Sequence, residues 1–254
     1  MDALTLGLLM AFFAGLSTTI GAAIVFLLKE LKPAYLAFSL AFSTGVMMTV
    51  SFLELMPESI LIVGHAHSLA FFFTGSLIAL IIDYLVPHEY IMECVSGDCK
   101  HDARLLKTGV FVALGLAIHN FPEGFAVMAG SLQSLELGIV VAIAIAMHNI
   151  PEGIAVAMPV FFSTGKKRKA FLVSFLSGMA EPVGAILAAF VLLPFLSPLV
   201  IGGSLALVSG FMVYICVDEL LPTTMHYAKQ NTYLMTSGFL VGSIVMGATL
   251  VLLS

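Results

Sequence analysis

The chain has 254 residues, of which 60% are hydrophobic and only 10% charged, with a mean hydropathy of +1.11. A soluble domain carries about 25% charged residues, so the composition excludes a water-soluble globule and indicates a protein that crosses a membrane many times. The net charge of -5 names no partner, because several acids lie inside apolar segments, and no basic tract interleaved with aromatics suggests nucleic acid.

Apolar runs of about 20 residues suffice to cross a hydrocarbon core of about 30 Å. Eight are expected, at about 4–28, 34–57, 68–86, 108–130, 136–162, 170–193, 198–222 and 232–253, forming one membrane domain over residues 1–254. Met1-Asp2 lacks the positive leader of a cleaved signal, so the first run is read as a retained span. The connections are short except for the polar stretch from Pro87 to Lys107, which holds Cys94 and Cys99. With Cys216 inside a span, the three cysteines imply no disulfide framework. All ten Lys and Arg (Lys29, Lys32, Lys100, Arg104, Lys107, Lys166, Lys167, Arg168, Lys169 and Lys229) fall in odd-numbered connections. The positive-inside rule puts those connections in the cytoplasm and both termini outside. No Lys or Arg is expected within a span.

Two internal echoes organise the chain. Ser51-Phe52-Leu53-Glu54-Leu55-Met56-Pro57 in span 2 matches Cys216-Val217-Asp218-Glu219-Leu220-Leu221-Pro222 in span 7. His119-Asn120-Phe121-Pro122-Glu123-Gly124 in span 4 matches His148-Asn149-Ile150-Pro151-Glu152-Gly153 in span 5. Each pair joins spans of opposite direction, as a pseudo-two-fold axis in the membrane plane requires. The fold class expected is all-α integral membrane, eight transmembrane helices in a 3+2+3 inverted repeat with both termini extracytoplasmic.

At 3.6 residues per turn, His119 and Glu123 share a helix face, as do His148 and Glu152, with Asn120 and Asn149 alongside. Pro122 and Pro151 cannot donate a hydrogen bond, so each helix is expected to kink and free a carbonyl beside its histidine. An ionised carboxylate at mid-bilayer costs about 2.5–3.5 kcal/mol. Glu123, Glu152 and, in span 6, Glu181 sit there, and a bound dication is the economical counter-charge. Imidazole nitrogen with carboxylate and amide oxygen suits Zn²⁺, Fe²⁺, Mn²⁺, Co²⁺ or Cd²⁺, while the lack of thiolate disfavours Cu(I). Three carboxylates and two histidines exceed one tetrahedral shell, so Glu123 and Glu152 are placed to bridge two ions.

These motifs resemble the ZIP (ZRT/IRT-like protein) metal-ion transporters over essentially the whole chain, including Ser177-Gly178-Met179-Ala180-Glu181 on span 6. The resemblance implies uptake of divalent metal, zinc foremost, into the cytoplasm across the cell (inner) membrane, the metal being transported substrate rather than a catalytic cofactor. It implies one ion at His119, Glu123, His148 and Glu152, a second at Asn120, Glu123, Asn149, Glu152 and Glu181, and a thioether from Met47 to the first. Movement of one rigid bundle against the other comes from the family alone. Many relatives carry a histidine-rich loop after span 3, where this chain has only His88 and His101.

Other residues carry two readings. Met47 serves equally as ordinary packing. Glu54 on the outer side, and Asp218, Glu219 and Asp83 on the inner side, read as entrance and exit carboxylates or as solvated helix ends. Lys166–Lys169 is simplest as a topology determinant, and Thr164-Gly165-Lys166-Lys167 lacks the frame of a phosphate loop. Expected partners are divalent ions and the bilayer, with a homodimer left open. An intramembrane hydrolase would need His-Glu-x-x-His, whereas each histidine here precedes Asn. A cation/proton exchanger running on Glu123, Glu152 and Glu181 is the third reading.

Overall fold

The computed structural model describes residues 2–28, 32–85, 103–192, 197–229 and 231–253. Lys29, His88, Cys94, Cys99, Lys100 and His101, all assigned by sequence to connections, lie outside these residues. Every described element is helical: α1 (Ala3–Leu27), α2 (Pro33–Val50), α3 (Met56–Leu85), α4 (Ala103–Gln133), α5 (Leu135–Thr164), α6 (Lys167–Gly178), α7 (Ala180–Leu187), α8 (Pro198–Ile215), α9 (Leu221–Tyr227) and α10 (Thr232–Leu253). Three π-helical turns, Ser51–Leu55, Ala188–Leu192 and Cys216–Leu220, join α2 to α3, extend α7, and join α8 to α9. The chain is an all-α membrane protein. Among the described residues, seven helical runs are long and apolar enough to cross a bilayer.

Seven rather than eight arises at Pro33–Leu85, a run of 53 residues. Straight, it would measure about 80 Å at about 1.5 Å per residue, far beyond any bilayer. It is not straight: Gly64 leaves the helix at φ 78°, ψ 164°, a region open only to glycine. Ser59 Oγ and Ser68 Oγ then lie 2.8 Å apart, where a continuous helix would separate them by about 13 Å. The connection expected over residues 58–67 is thus helix on both sides of a one-residue hinge.

Two of the π turns, Ser51–Leu55 and Cys216–Leu220, follow from prolines. Pro57 and Pro222 have no N–H and crowd the carbonyl four residues back. The chain answers by widening one turn upstream, where Met56 N–H donates to Ser51 O and Leu221 N–H to Cys216 O, each an i to i−5 bond. These are the two echoed segments, and the echo reaches further back: Gly45, Met47, Glu54, Leu55 and Pro57 recur in register as Gly210, Met212, Glu219, Leu220 and Pro222. Both glycines serve close packing, since a Cβ on Gly45 would strike Phe239 O of α10 and one on Gly210 would strike Phe72 O of α3. Pro122 and Pro151 lie inside α4 and α5, and neither divides its helix. Ser43 Oγ of α2 donates to the Pro151 carbonyl at 2.8 Å.

Packing sorts the helices into two sets. The set of α1, α4, α5, α6 and α7 packs largely on itself, and α3 with α8 and α2 with α10 form the other. A large apolar core around Phe111, Leu116, Phe211 and Ile215 lies between them, and a smaller one of Ala11, Ala14, Val127, Met128 and Ala185 holds the first set together. At the start of α6, Lys167 Nζ donates to Leu28 O at 2.9 Å and Phe26 O at 3.2 Å, closing the open carbonyls at the end of α1.

Candidate metal centre

α4 and α5 form a hairpin broken at Ser134, which brings the two His-Asn-x-Pro-Glu-Gly phrases face to face. Glu123 Oε1 lies 2.9 Å from His119 Nε2 and 2.6 Å from His148 Nε2, and Glu152 Oε1 lies 3.3 Å from His119 Nε2. The imidazole centroids are 6.1 Å apart. Ligand atoms of His119, Glu123 and His148 all fall within 4.8 Å of one another. None of these four residues is more than 5% exposed.

The glycine ending each phrase brings in a third helix. A Cβ on Gly124 would collide with Glu181 O of α7, and one on Gly153 with Thr18 O of α1. Their bare backbones therefore admit α7 beside α4 and α1 beside α5. Glu181, fully buried, then takes a 2.8 Å bond from Asn149 Nδ2, which also donates to Ala14 O at 3.1 Å. Asn120 Nδ2 donates to Ser177 O at 3.4 Å. Both amides spend their donors on neighbouring helices and keep their oxygens.

What remains is an excess of acceptors. Asn120 Oδ1, Asn149 Oδ1, Glu123 Oε2, both carboxylate oxygens of Glu152 and Glu181 Oε1 are buried without a hydrogen-bond partner. His119 Nε2, though 2.9 Å from Glu123, is not aligned for a hydrogen bond. Buried polar atoms are normally satisfied, and one unpaired carboxylate would already be costly. Imidazole nitrogen and carboxylate oxygen converging on one point, with amide oxygens beside them, match the donor set of a divalent cation.

A cavity of about 450 Å³ joins this cluster to the surface, lined by His119, Glu123, His148, Glu54 and Glu58 among others. Glu54 is half-buried and Glu58 exposed, so the cavity is a vestibule that grades from open to closed. Met47 is fully buried in the apolar core and does not line it. Asp83, Asp218 and Glu219 come together at the far end of the molecule, their oxygens within 4.8 Å of one another. There Lys107 Nζ lies 2.8 Å from Asp83 Oδ1 and 3.9 Å from Glu219 Oε1. Thr108 Oγ1 donates to Glu219 Oε2 at 2.8 Å and Tyr214 OH to Asp83 Oδ2 at 3.5 Å. Lys107 was expected in a connection; it sits inside α4, within the apolar run Leu105–Leu132. Sequence reading missed Glu58 and Lys107. Glu58 was within reach of it, being four residues after Glu54 on one helix face.

An all-helical membrane protein whose buried carboxylates and imidazoles meet at the base of an open vestibule belongs to the class of intramembrane cation carriers. Comparison makes this specific. A family profile described as ZIP Zinc transporter matches residues 92–250. Zinc transporter ZupT of Chlorobium luteolum is 47% identical over 261 residues, covering 97% of both chains. Proteins of the same name from Nitratidesulfovibrio vulgaris and Streptococcus mutans are 43% and 41% identical, over 96% and 94% of this chain and 95% and 94% of theirs. The chain belongs to the ZIP family of zinc transporters. It is therefore a membrane transporter and not an enzyme, which disposes of the hydrolase reading.

Proposed function

We propose that the protein carries zinc into the cytoplasm by alternating access, with iron, manganese, cobalt and cadmium as further candidate substrates. One observation carries the reading: the surplus of buried acceptor oxygens around His119, Glu123, His148 and Glu152, supported by the zinc transporter name of the similar proteins.

In this reading His119, Glu123, His148 and Glu152 hold one ion, and Asn120, Glu123, Asn149, Glu152 and Glu181 a second, with Glu123 and Glu152 shared. Glu54 and Glu58 receive the ion from outside; Asp83, Asp218 and Glu219 receive it inside. Met47, fully buried in the apolar core and not among the residues that line the vestibule, is assigned to packing. All seven central ligands lie on α4, α5 and α7, within one helix set, which suits movement of that set as a unit. In this reading the Pro33–Leu85 run crosses twice about the hinge at Gly64, and the chain has eight spans with both termini outside the cell membrane; the non-helical backbone at Gly64 supports it.

The test is uptake into proteoliposomes of wild type, Glu123→Ala and Glu152→Ala across a panel of divalent ions. Saturable zinc uptake lost in both variants supports the reading, and the panel ranks the metals. Folded wild type that moves no metal would sink it, and uptake in metal-free buffer of another cation would favour the exchanger.

A further inference from the structure

The internal symmetry makes Glu54 and Glu219 equivalent positions, yet their surroundings differ. Glu54 faces the vestibule, with Oε2 buried and unpartnered. Glu219 is closed over by Lys107 and Thr108. The repeated phrase gives a second correspondence, since Lys107 stands twelve residues before His119 and Glu136 twelve before His148. One position is a cation and its counterpart an exposed acid. Near-symmetric halves thus diverge in charge where the two ends of the transporter should behave alike.

Lys107 and Thr108 belong to α4, in the set that carries the metal ligands. Asp83, Tyr214 and Glu219 belong to α3, α8 and the π turn after it, in the other set. The contacts among them therefore tie the two sets together at the inner end. On the outer side, α4 and α8 leave a gap between Pro122, Ala126, Ser204 and Leu205.

We propose that Lys107 is a one-sided ionic latch that clamps the inner ends of the two helix sets and biases the carrier toward the outward-open arrangement. The latch rests on the alternating-access reading above. The tethered ammonium neutralises the acidic exit cluster while no ion is there, and an arriving dication competes with it for Asp83 and Glu219. On the outer side Glu136 stands at the matching position, no such clamp is present among the described residues, and the vestibule stays open to incoming metal.

The test uses Ala126→Cys as a reporter in the vestibule wall, in a Cys94→Ser/Cys99→Ser background in which Cys216 is fully buried. Its rate of reaction with a membrane-impermeant maleimide added outside intact cells is measured alongside zinc uptake. Lys107→Gln should slow labelling at least about threefold by populating the inward-open form, with Lys107→Arg and the swap Lys107→Asp/Asp83→Lys near the reporter's own rate. Labelling of Lys107→Gln at the reporter's rate overturns the latch. So does a swap that labels as slowly as Lys107→Gln. Should Lys107→Gln fail to reach the membrane, Thr108→Val, which removes the hydroxyl that donates to Glu219, carries the same comparison: slower labelling supports the latch and an unchanged rate overturns it. Loss of Glu123-dependent uptake in the reporter background counts against the carrier reading instead, so the two failures are separable.

Discussion

Glu123 Oε1 lies 2.6 Å from His148 Nε2, so a carboxylate of α4 reaches an imidazole of α5 across the axis that relates the two phrases. The same oxygen is 2.9 Å from His119 on its own helix, which makes it the hinge-pin of the candidate site.

Glu123→Gln keeps the shape and removes the charge. Loss of even an outer-shell partner weakens metal binding by about 10–100-fold, so this variant should bind zinc at least about tenfold more weakly in a calorimetric titration of the detergent-solubilised protein. Unchanged affinity would mean that the carboxylate charge is not used.

Glu54 and Glu58 line the vestibule without touching the imidazoles. Carboxylates along a low-dielectric cleft concentrate cations and raise capture rates. Glu54→Gln/Glu58→Gln should raise the KM for zinc uptake by up to about tenfold while the maximal rate changes little. The gap between wild type and variant should narrow as ionic strength rises, because screening removes what the charges supplied.

Gly124 is a steric requirement rather than a flexible link, for its missing Cβ is where Glu181 O of α7 rests. Gly124→Ala should force α7 outward and cost about 1–3 kcal/mol as overpacking, seen as a lower Tm, and it should weaken zinc binding by displacing Glu181. Gly247 has nothing within 4 Å of its would-be Cβ, so Gly247→Ala is the matched control and should leave both unchanged.

Gly64→Ala places a side chain at φ 78° and should lower stability by about 1–3 kcal/mol. A cysteine at the adjacent exposed position, His65→Cys, tests the topology in the same Cys94→Ser/Cys99→Ser background. It should react with impermeant maleimide from outside the cell, on the same face as Ala126→Cys. Labelling only after permeabilisation would reverse the assigned orientation.

The positions that chemistry dictates were legible in the sequence. Histidine and glutamate four apart, twice over, can only share a helix face, and the antiparallel hairpin that joins them follows from the short connection at Ser134. The helical class was equally plain from composition. The π turns were legible only as an echo, because a missing N–H at Pro57 says that a turn must adjust but not whether it kinks, breaks or widens. Pro122 shows the contrast: the same missing donor leaves α4 undivided. The hinge at Gly64 escaped because one glycine among apolar and small polar neighbours reads like any packing glycine. Lys107 escaped because a lysine at the edge of an apolar run is indistinguishable from a topology charge until Asp83 and Glu219, contributed by two distant segments, are seen beside it.

The three buried glutamates have a bearing on membrane voltage. Counted formally, with the imidazoles neutral as metal ligation requires, Glu123, Glu152 and Glu181 bring three negative charges to a bound ion, and the one lysine within α4 is engaged elsewhere. One dication leaves a single negative charge; two leave a single positive one. Moving a unit charge across 100 mV is worth about 2.3 kcal/mol. With one ion aboard, the inward step of the cycle proposed above moves one negative charge against an interior-negative potential, and with two it moves one positive charge along it. The number of ions carried therefore sets whether the membrane potential opposes or assists delivery.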